Sequence, residues 1–341
     1  MAKVTKSSLN LLFRLTILLG AYGYIAYKIW NTPAGPLSPQ SLQIFFDQGH
    51  YWILSVAVFL LMFLNWGLET LKWQRLISKI EKVHFLKAYM AIFTGVTASV
   101  FTPNRVGEYI GRVFILENRQ PAQGILITLL GSFSQILVYL AGGAVAGLVI
   151  FYRYILPWRP QLSFLSWILT PAVFLVFIGS ILIFANLPYF IRLARRLLPR
   201  RWHKIRSWVS VLGMYTRTEM LKIMAISFLR YLVFIFQYML LLVMFGISLN
   251  FSTLLTGIPF IILLLVVIPS VALSELGVRN SVALFVFELM LPPGLKNDPL
   301  VNLSIIAAAT SLWLINVALP AIIGSFFVFK LKFFPSNGKK A

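Results

Sequence analysis

Two short stretches of this chain carry side chains suited to gripping a phosphate. The first, FTPNRVGEYIGR at residues 101–112, holds Arg105, Glu108 and Arg112 together with Pro103, Gly107 and Gly111. The second, SVALSELGVRNS at residues 270–281, holds Glu275, Gly277 and Arg279 and directly follows Pro269. Arginine offers a planar fork of donors that pairs with two oxygens of one phosphate. A neighbouring carboxylate organises that fork or takes a cationic group. A helix starting near Gly107 or Leu276 would add backbone N–H groups and a positive dipole end. The competing reading is local: Arg105–Glu108 at i,i+3 and Glu275–Arg279 at i,i+4 are spacings for ion pairs that pin helix starts.

The elements that must position these residues are membrane helices. Of 341 residues, 59% are hydrophobic and 11% charged, against about 25% charged in a soluble protein. Apolar runs long enough to cross ~30 Å of hydrocarbon recur without strand-like alternation. Six full spans are expected, near 9–30, 51–71, 125–151, 162–187, 221–245 and 301–328. A short interfacial helix is expected at 41–48, and the basic run 189–217 reads as an amphipathic segment on an anionic leaflet. Gly143 and Gly147 make a small-residue face suited to close helix contact.

Charge fixes the expected topology. With both termini in the cytoplasm, the outer loops 31–49, 152–161, 246–252 and 292–300 carry zero, two, zero and one Lys or Arg. The inner regions 72–87 and 189–217 carry five and eight. The count closes only if 88–118 enters and leaves on the inner side, and 252–291 on the outer side. Each is then a re-entrant hairpin, broken around Pro103 and Gly107 or around Pro269 and Gly277. The fold class expected is an all-α polytopic membrane protein, a single membrane domain over 1–341. It has about six transmembrane helices plus two re-entrant hairpins, in the pattern of an inverted-repeat transporter. A charge at bilayer centre costs ~2.5–3.5 kcal/mol on insertion scales. Five in two breaks therefore call for pairing, water or a ligand.

Glu69 is another candidate. Trp66, Glu69 and Trp73 share one helical face, with Lys72 alongside. Two readings stand open: an interfacial aromatic belt with a solvated ion pair, or an inward acid that meets Arg105 or a cationic headgroup. Arg230, inside an apolar span, either snorkels to the interface, the favoured reading, or reaches the cavity. Glu288 is assigned no role.

Other chemistry has little footing. With no cysteine, thiolate metal sites, iron–sulfur clusters and disulfides are excluded. The three histidines have no metal-ligand spacing, and no Walker, G-x-S-x-G or H-E-x-x-H pattern occurs. No cofactor, metal or enzymatic activity is expected. Thirty Lys and Arg against nine acids point to anionic membrane lipids, with nucleic acid excluded as a partner. Eleven residues follow Lys330, so no attached soluble catalytic domain is expected.

TPNRVGEYIGR, SELGVR and NWGLETLKWQRL, in this placement, resemble the flippase-like membrane region of the bacterial lysylphosphatidylglycerol synthetase family over about residues 8–330. The resemblance implies a domain of the bacterial inner membrane that moves aminoacylated or other phospholipids between leaflets, with re-entrant helices around a central cavity. Thr102, Pro103, Arg105, Gly107 and Glu108 match its first motif, and Gly277 and Arg279 its second. Many relatives have Gly-Gly before that second glycine and an acid after the arginine. Here Ser274 and Glu275 precede, and Asn280 follows. The family's soluble aminoacyl-transfer domain has no counterpart, so synthase activity is not expected.

Together these readings predict a lipid translocase for a phospholipid or a polyprenyl-phosphate-linked lipid. Its headgroup site would be drawn from Glu69, Arg105, Glu108, Arg112, Glu275 and Arg279. The alternatives are a non-catalytic partner of a separate lipid synthase or glycosyltransferase, and an intramembrane enzyme using Glu108 or Glu275 as base. Homo-oligomerisation is left open.

Overall fold

A computed structural model describes residues 51–100, 102, 106–117, 120–197, 199–247, 249–268, 275–296 and 298–328. These residues are mostly helical, with no strand among them. Eleven α-helices are named here in chain order: α1 (Tyr51–Ile77), α2 (Phe85–Ser99), α3 (Val106–Val113), α4 (Pro121–Ile150), α5 (Ser166–Leu197), α6 (His203–Ser210), α7 (Arg217–Met244), α8 (Phe251–Val267), α9 (Glu275–Met290), α10 (Pro299–Trp313) and α11 (Leu319–Val328).

Local sequence explains several boundaries. At the start of α7, Thr216 Oγ1 accepts from the Glu219 amide at 3.2 Å, and the Thr216 amide donates back to Glu219 Oε2 at 2.8 Å. This reciprocal cap satisfies two N–H groups that the helix itself cannot. The same helix ends at Gly246, whose φ of +82° suits only a residue without Cβ. There the Ile247 amide reaches Leu242 O at 2.9 Å, and the Gly246 amide reaches Val243 O at 3.0 Å, closing a Schellman turn. Asp298 caps α10 by accepting from the Leu300 amide at 2.8 Å, with Pro299 as the first helical residue.

Among the described residues five helical stretches are long and apolar enough to cross a membrane: Trp52–Ile77, Pro121–Ile155, Pro160–Leu197, Arg217–Met244 and Pro299–Phe327. They correspond to five of the six expected spans. The expected first span at 9–30 and the helix expected at 41–48 lie outside the described residues, as do Pro103, Arg105 and Pro269. The last span joins α10 to α11 through a π-helical turn, Leu314–Ala318. The basic run 189–217 spans several elements. It is the end of α5, an elbow, the short α6 and two 3₁₀ turns.

The two expected hairpins are each a pair of helices too short to cross alone. Arms α2 and α3 have 15 and 8 residues, and arms α8 and α9 have 17 and 16, against about 20 for a span. Arms α2 and α3 run antiparallel at near backbone contact. A Cβ on Gly111 would come within 2.8 Å of Gly95 Cα, and one on Gly107 would strike the Ala98 carbonyl. At the open end of this pair, Lys87 Nζ lies 3.3 Å from Glu81 and 2.7 Å from Glu117. Gly107 and Gly277 both fall inside second arms, not in the breaks. Gly277 has no described residue within 4 Å of where a Cβ would stand. The expected small-residue face is used: Gly143 meets Pro259 and Leu263 of α8, and Gly147 meets Phe260.

Side-chain packing divides the protein into two apolar cores. One gathers Trp66 and Trp73 of α1, Phe93 of α2, Ile127 of α4, Ile223 of α7 and Trp313 of α10. The other gathers Val58 of α1, Val138 of α4, Tyr231 of α7, Ile258 of α8, Phe287 of α9 and Leu312 of α10. Helices α1, α4, α7 and α10 pass through both. Ser134 and Gln135 of α4 and Ser227 and Arg230 of α7 fall between the residues each helix gives to one core and to the other.

Candidate functional site

The site starts from α1. Asn65, Glu69 and Lys72 recur at i, i+4 and i+7, which puts them on one face of a helix. That face points inward. Glu69 is 3% exposed, Lys72 1% and Trp73 1%, and the Trp73 indole donates to Thr128 Oγ1 at 3.0 Å. This burial overturns the solvated belt; Glu69 faces inward, while the contact expected with Arg105 lies outside the described residues. The interior has cationic partners for it, as a buried carboxylate requires.

Three helices supply those partners. Lys72 Nζ lies 2.8 Å from Glu69 Oε2, Arg230 Nη1 of α7 lies 3.0 Å from the same oxygen, and Arg112 Nη1 of α3 lies 2.8 Å from Oε1. Arg112 also pairs with Glu108 one turn earlier, and at 2% exposure it is fully enclosed. Arg230 does not snorkel. Its Nε donates to Asn65 Oδ1 at 2.9 Å, and its guanidinium lies 5.3 Å from the Trp66 ring centroid, in cation–π contact. Burying its charge is tolerable because Glu69 faces it.

Amides extend the network toward the second core. Gln135 Oε1 accepts from Lys72 at 3.3 Å and from Arg230 at 3.4 Å, while Gln135 Nε2 donates to Ser227 O at 3.0 Å. Asn65 Nδ2 donates to Asn316 Oδ1 at 3.2 Å. Asn316 Nδ2 donates to Gln237 Oε1 at 2.8 Å, and Gln237 Nε2 to Val58 O at 3.0 Å. Asn316 stands in the π turn of the last span. Such turns often mark functional positions in helices.

The charge count decides what this arrangement can do. Lys72, Arg112 and Arg230 face Glu69 and Glu108, which leaves one positive charge in excess among the described residues. Two buried donors also lack a partner: Arg112 Nε and Trp66 Nε1. A buried cluster with surplus positive charge and unused donors favours an anion.

The second hairpin repeats the first in one respect. Glu275 opens α9 as Glu108 opens α3, and each pairs with an arginine four residues on; Glu275 Oε1 lies 3.1 Å from Arg279 Nη2. There the likeness stops. Arg112 is held by two carboxylates and enclosed. Arg279 is held by one among the described residues, keeps 18% of its side chain exposed, and has a buried Nε without a partner. Leu276 packs into the first core and Val278 against the second. The first turn of α9 therefore stands at the boundary of the cores, where Asn65 and Asn316 also lie.

The structure thus brings Glu69, Glu108 and Arg112 together, and pairs Glu275 with Arg279 separately. No ion pair joins the two groups among the described residues. Arg105 lies outside those residues. Sequence reasoning passed over Asn65, Gln135, Gln237 and Asn316 and misjudged Arg230. The available signal was the rarity of amides and charges inside otherwise apolar spans, where such residues face the bundle interior. No group of His, Cys, Asp and Glu among the described residues could hold a metal ion.

Comparison with known proteins gives one match. The family model described as the lysylphosphatidylglycerol synthase TM region matches residues 32–318. No curated protein and no solved structure matches the chain.

Proposed function

The chain belongs to the lysylphosphatidylglycerol synthase transmembrane-region family, a membrane protein of lipid metabolism, and from that premise we propose that it moves a phosphate-bearing lipid between leaflets. The observation that carries the proposal is the excess positive charge of the buried network: three cations against two carboxylates among the described residues. A lipid phosphate supplies the missing negative charge while its tails stay in the surrounding bilayer.

In this reading α2–α3 and α8–α9 each enter and leave on one side, the first from the cytoplasm and the second from outside, as the loop charges favour. Arg279 takes the phosphate first, because its guanidinium is partly open and its Nε is unpaired. Arg112 acts differently. Its pair with Glu69 ties α3 to α1, while Glu108 holds it from within α3, so it positions the first hairpin. Glu108 and Glu275 keep the arginines tolerable between substrates, and a cationic aminoacyl headgroup would find them at the same level. The movement draws on a lipid gradient or the membrane potential, since the sequence has no nucleotide-binding pattern.

Reconstitution in liposomes with headgroup-labelled fluorescent lipids tests this. The protein is expected to expose the inner-leaflet label to an impermeant quencher. A protected fraction identical with and without protein, across anionic and aminoacylated phospholipids and a polyprenyl phosphate, refutes it.

A further inference from the structure

Away from the central network, the end of α5 and the end of α6 with its following 3₁₀ turn flank a half-open cavity of about 170 Å³ lined by Ile191, Arg192, Arg195, Ser210, Gly213 and Met214. We propose that this cavity is a second, peripheral lipid site, which holds the phosphodiester of an anionic phospholipid in the leaflet beside the basic elbow.

Depth is the first argument. At 1.5 Å per residue the 32 residues of α5 extend about 48 Å, well beyond ~30 Å of hydrocarbon. Counting about 20 residues from Trp167 places the hydrocarbon boundary near Leu187. Ile191 to Arg195 then stand among headgroups. Tyr189, Trp202 and Trp208 of the same basic run are exposed, as amphipathic aromatics are at a membrane interface. Helix α5 also presents most of its apolar surface outward, including Phe174 at 61% and Leu175 at 73% exposure. Acyl chains running along that face arrive at the cavity with their headgroups.

Chemistry is the second argument. Arg192 Nη1 is committed to Gly213 O at 2.9 Å, which fixes its stem and leaves its other donors for a ligand. Arg195 makes no ion pair among the described residues. Ser210 donates to Ser207 O at 2.6 Å, so two arginines supply the anion contacts. Ile191 and Met214 supply apolar wall for the glycerol and first methylenes. Residues 189–217 hold eight Lys and Arg and no acid up to Arg217, so nothing within the run competes with an anion.

Rigidity is the third. The wall opposite α5 is anchored in the first core. Val211 is 1% exposed and Tyr215 3%, and Tyr215 OH donates to Leu76 O at 2.7 Å. A preformed pocket spends less of its binding energy on ordering itself.

Native mass spectrometry of the full chain released from nanodiscs of mixed phosphatidylglycerol and phosphatidylcholine tests the proposal. Retained phosphatidylglycerol is expected on the wild type. Its affinity should fall on the order of 10- to 30-fold in Arg192→Gln/Arg195→Gln. Arg195→Gln alone keeps the Arg192–Gly213 contact and should show part of the loss. Arg196→Gln/Arg201→Gln removes equal charge outside the cavity and should keep the lipid. Equal retention of both lipids, or an equal loss in the two double variants, overturns the site. Displacement of the lipid by millimolar inorganic phosphate reassigns the cavity to a free anion and overturns it too. None of these outcomes depends on leaflet exchange, so this site and the proposed transport activity stand or fall separately.

Discussion

Replacing Glu69 by Gln removes the one carboxylate that faces Lys72, Arg112 and Arg230 at 2.8–3.0 Å. Shape is nearly kept, but the negative charge is lost and one acceptor oxygen becomes an NH2 donor facing cationic donors. The network goes from one excess positive charge to two, all enclosed at exposures of 1%, 2% and 16%. Breaking a buried ion pair from one side costs about 3–5 kcal/mol, because the partner charge is left uncompensated. Unfolding entropy of about 2.1 cal/mol/K per residue gives roughly 0.7 kcal/mol/K for 341 residues. A loss of about 3 kcal/mol then lowers Tm by roughly 4 °C. The assay is intrinsic tryptophan fluorescence during heating of the detergent-purified protein. The control is Glu69→Gln/Lys72→Met, which restores the original net charge and should recover part of the loss through coupling between neighbours. A Glu69→Gln variant within about 1 °C of wild type, or a double variant less stable than the single, would show that the cluster is solvated and the charge argument mistaken.

Gly107→Ala should cost about 1–3 kcal/mol, read as a lowered Tm, because its Cβ would strike the Ala98 carbonyl and lie 2.9 Å from Thr102 Oγ1. Gly277→Ala should be neutral or gain up to about 1 kcal/mol, since no described residue lies within 4 Å; a falling Tm would refute this. Arg279→Gln should reduce leaflet exchange of a labelled anionic lipid at least about 10-fold, with little change in Tm; unchanged exchange would remove Arg279 from the site. The Glu117 carboxyl is held below its usual range by the hydrogen bond from Lys87. It contributes stability above the ordinary carboxylate value and loses it as pH falls through the lowered one. The Tm difference between wild type and Glu117→Gln should therefore be present at neutral pH and close below about pH 4.

Much of the fold is legible in the sequence because membrane spans are local objects. Length and apolarity decide them within one segment, and the five spans found correspond to those expected at 51–71, 125–151, 162–187, 221–245 and 301–328. The hairpin arms are legible for a similar reason: a short apolar run ending in Pro, Gly and charge cannot continue as a span. Even the contact of Gly143 and Gly147 with α8 was visible as a small-residue face, although its partner was not.

The charged residues follow a different rule. Whether Glu69 faces water or the interior depends on Arg112 from the first hairpin and Arg230 from α7, which no window around Glu69 contains. Arg230, Gln135 and Asn316 look like isolated polar residues in separate spans, and become one network when α1, α4, α7 and the last span meet between the two cores. The sequence by itself determined a helical membrane protein with long apolar spans and two pairs of shorter, charge-bearing helices. The tertiary structure alone decided which charges pair, which arginine is enclosed and which is left partly open. Chain-local hydrophobicity sets the first outcome, and side chains brought together from distant helices set the second.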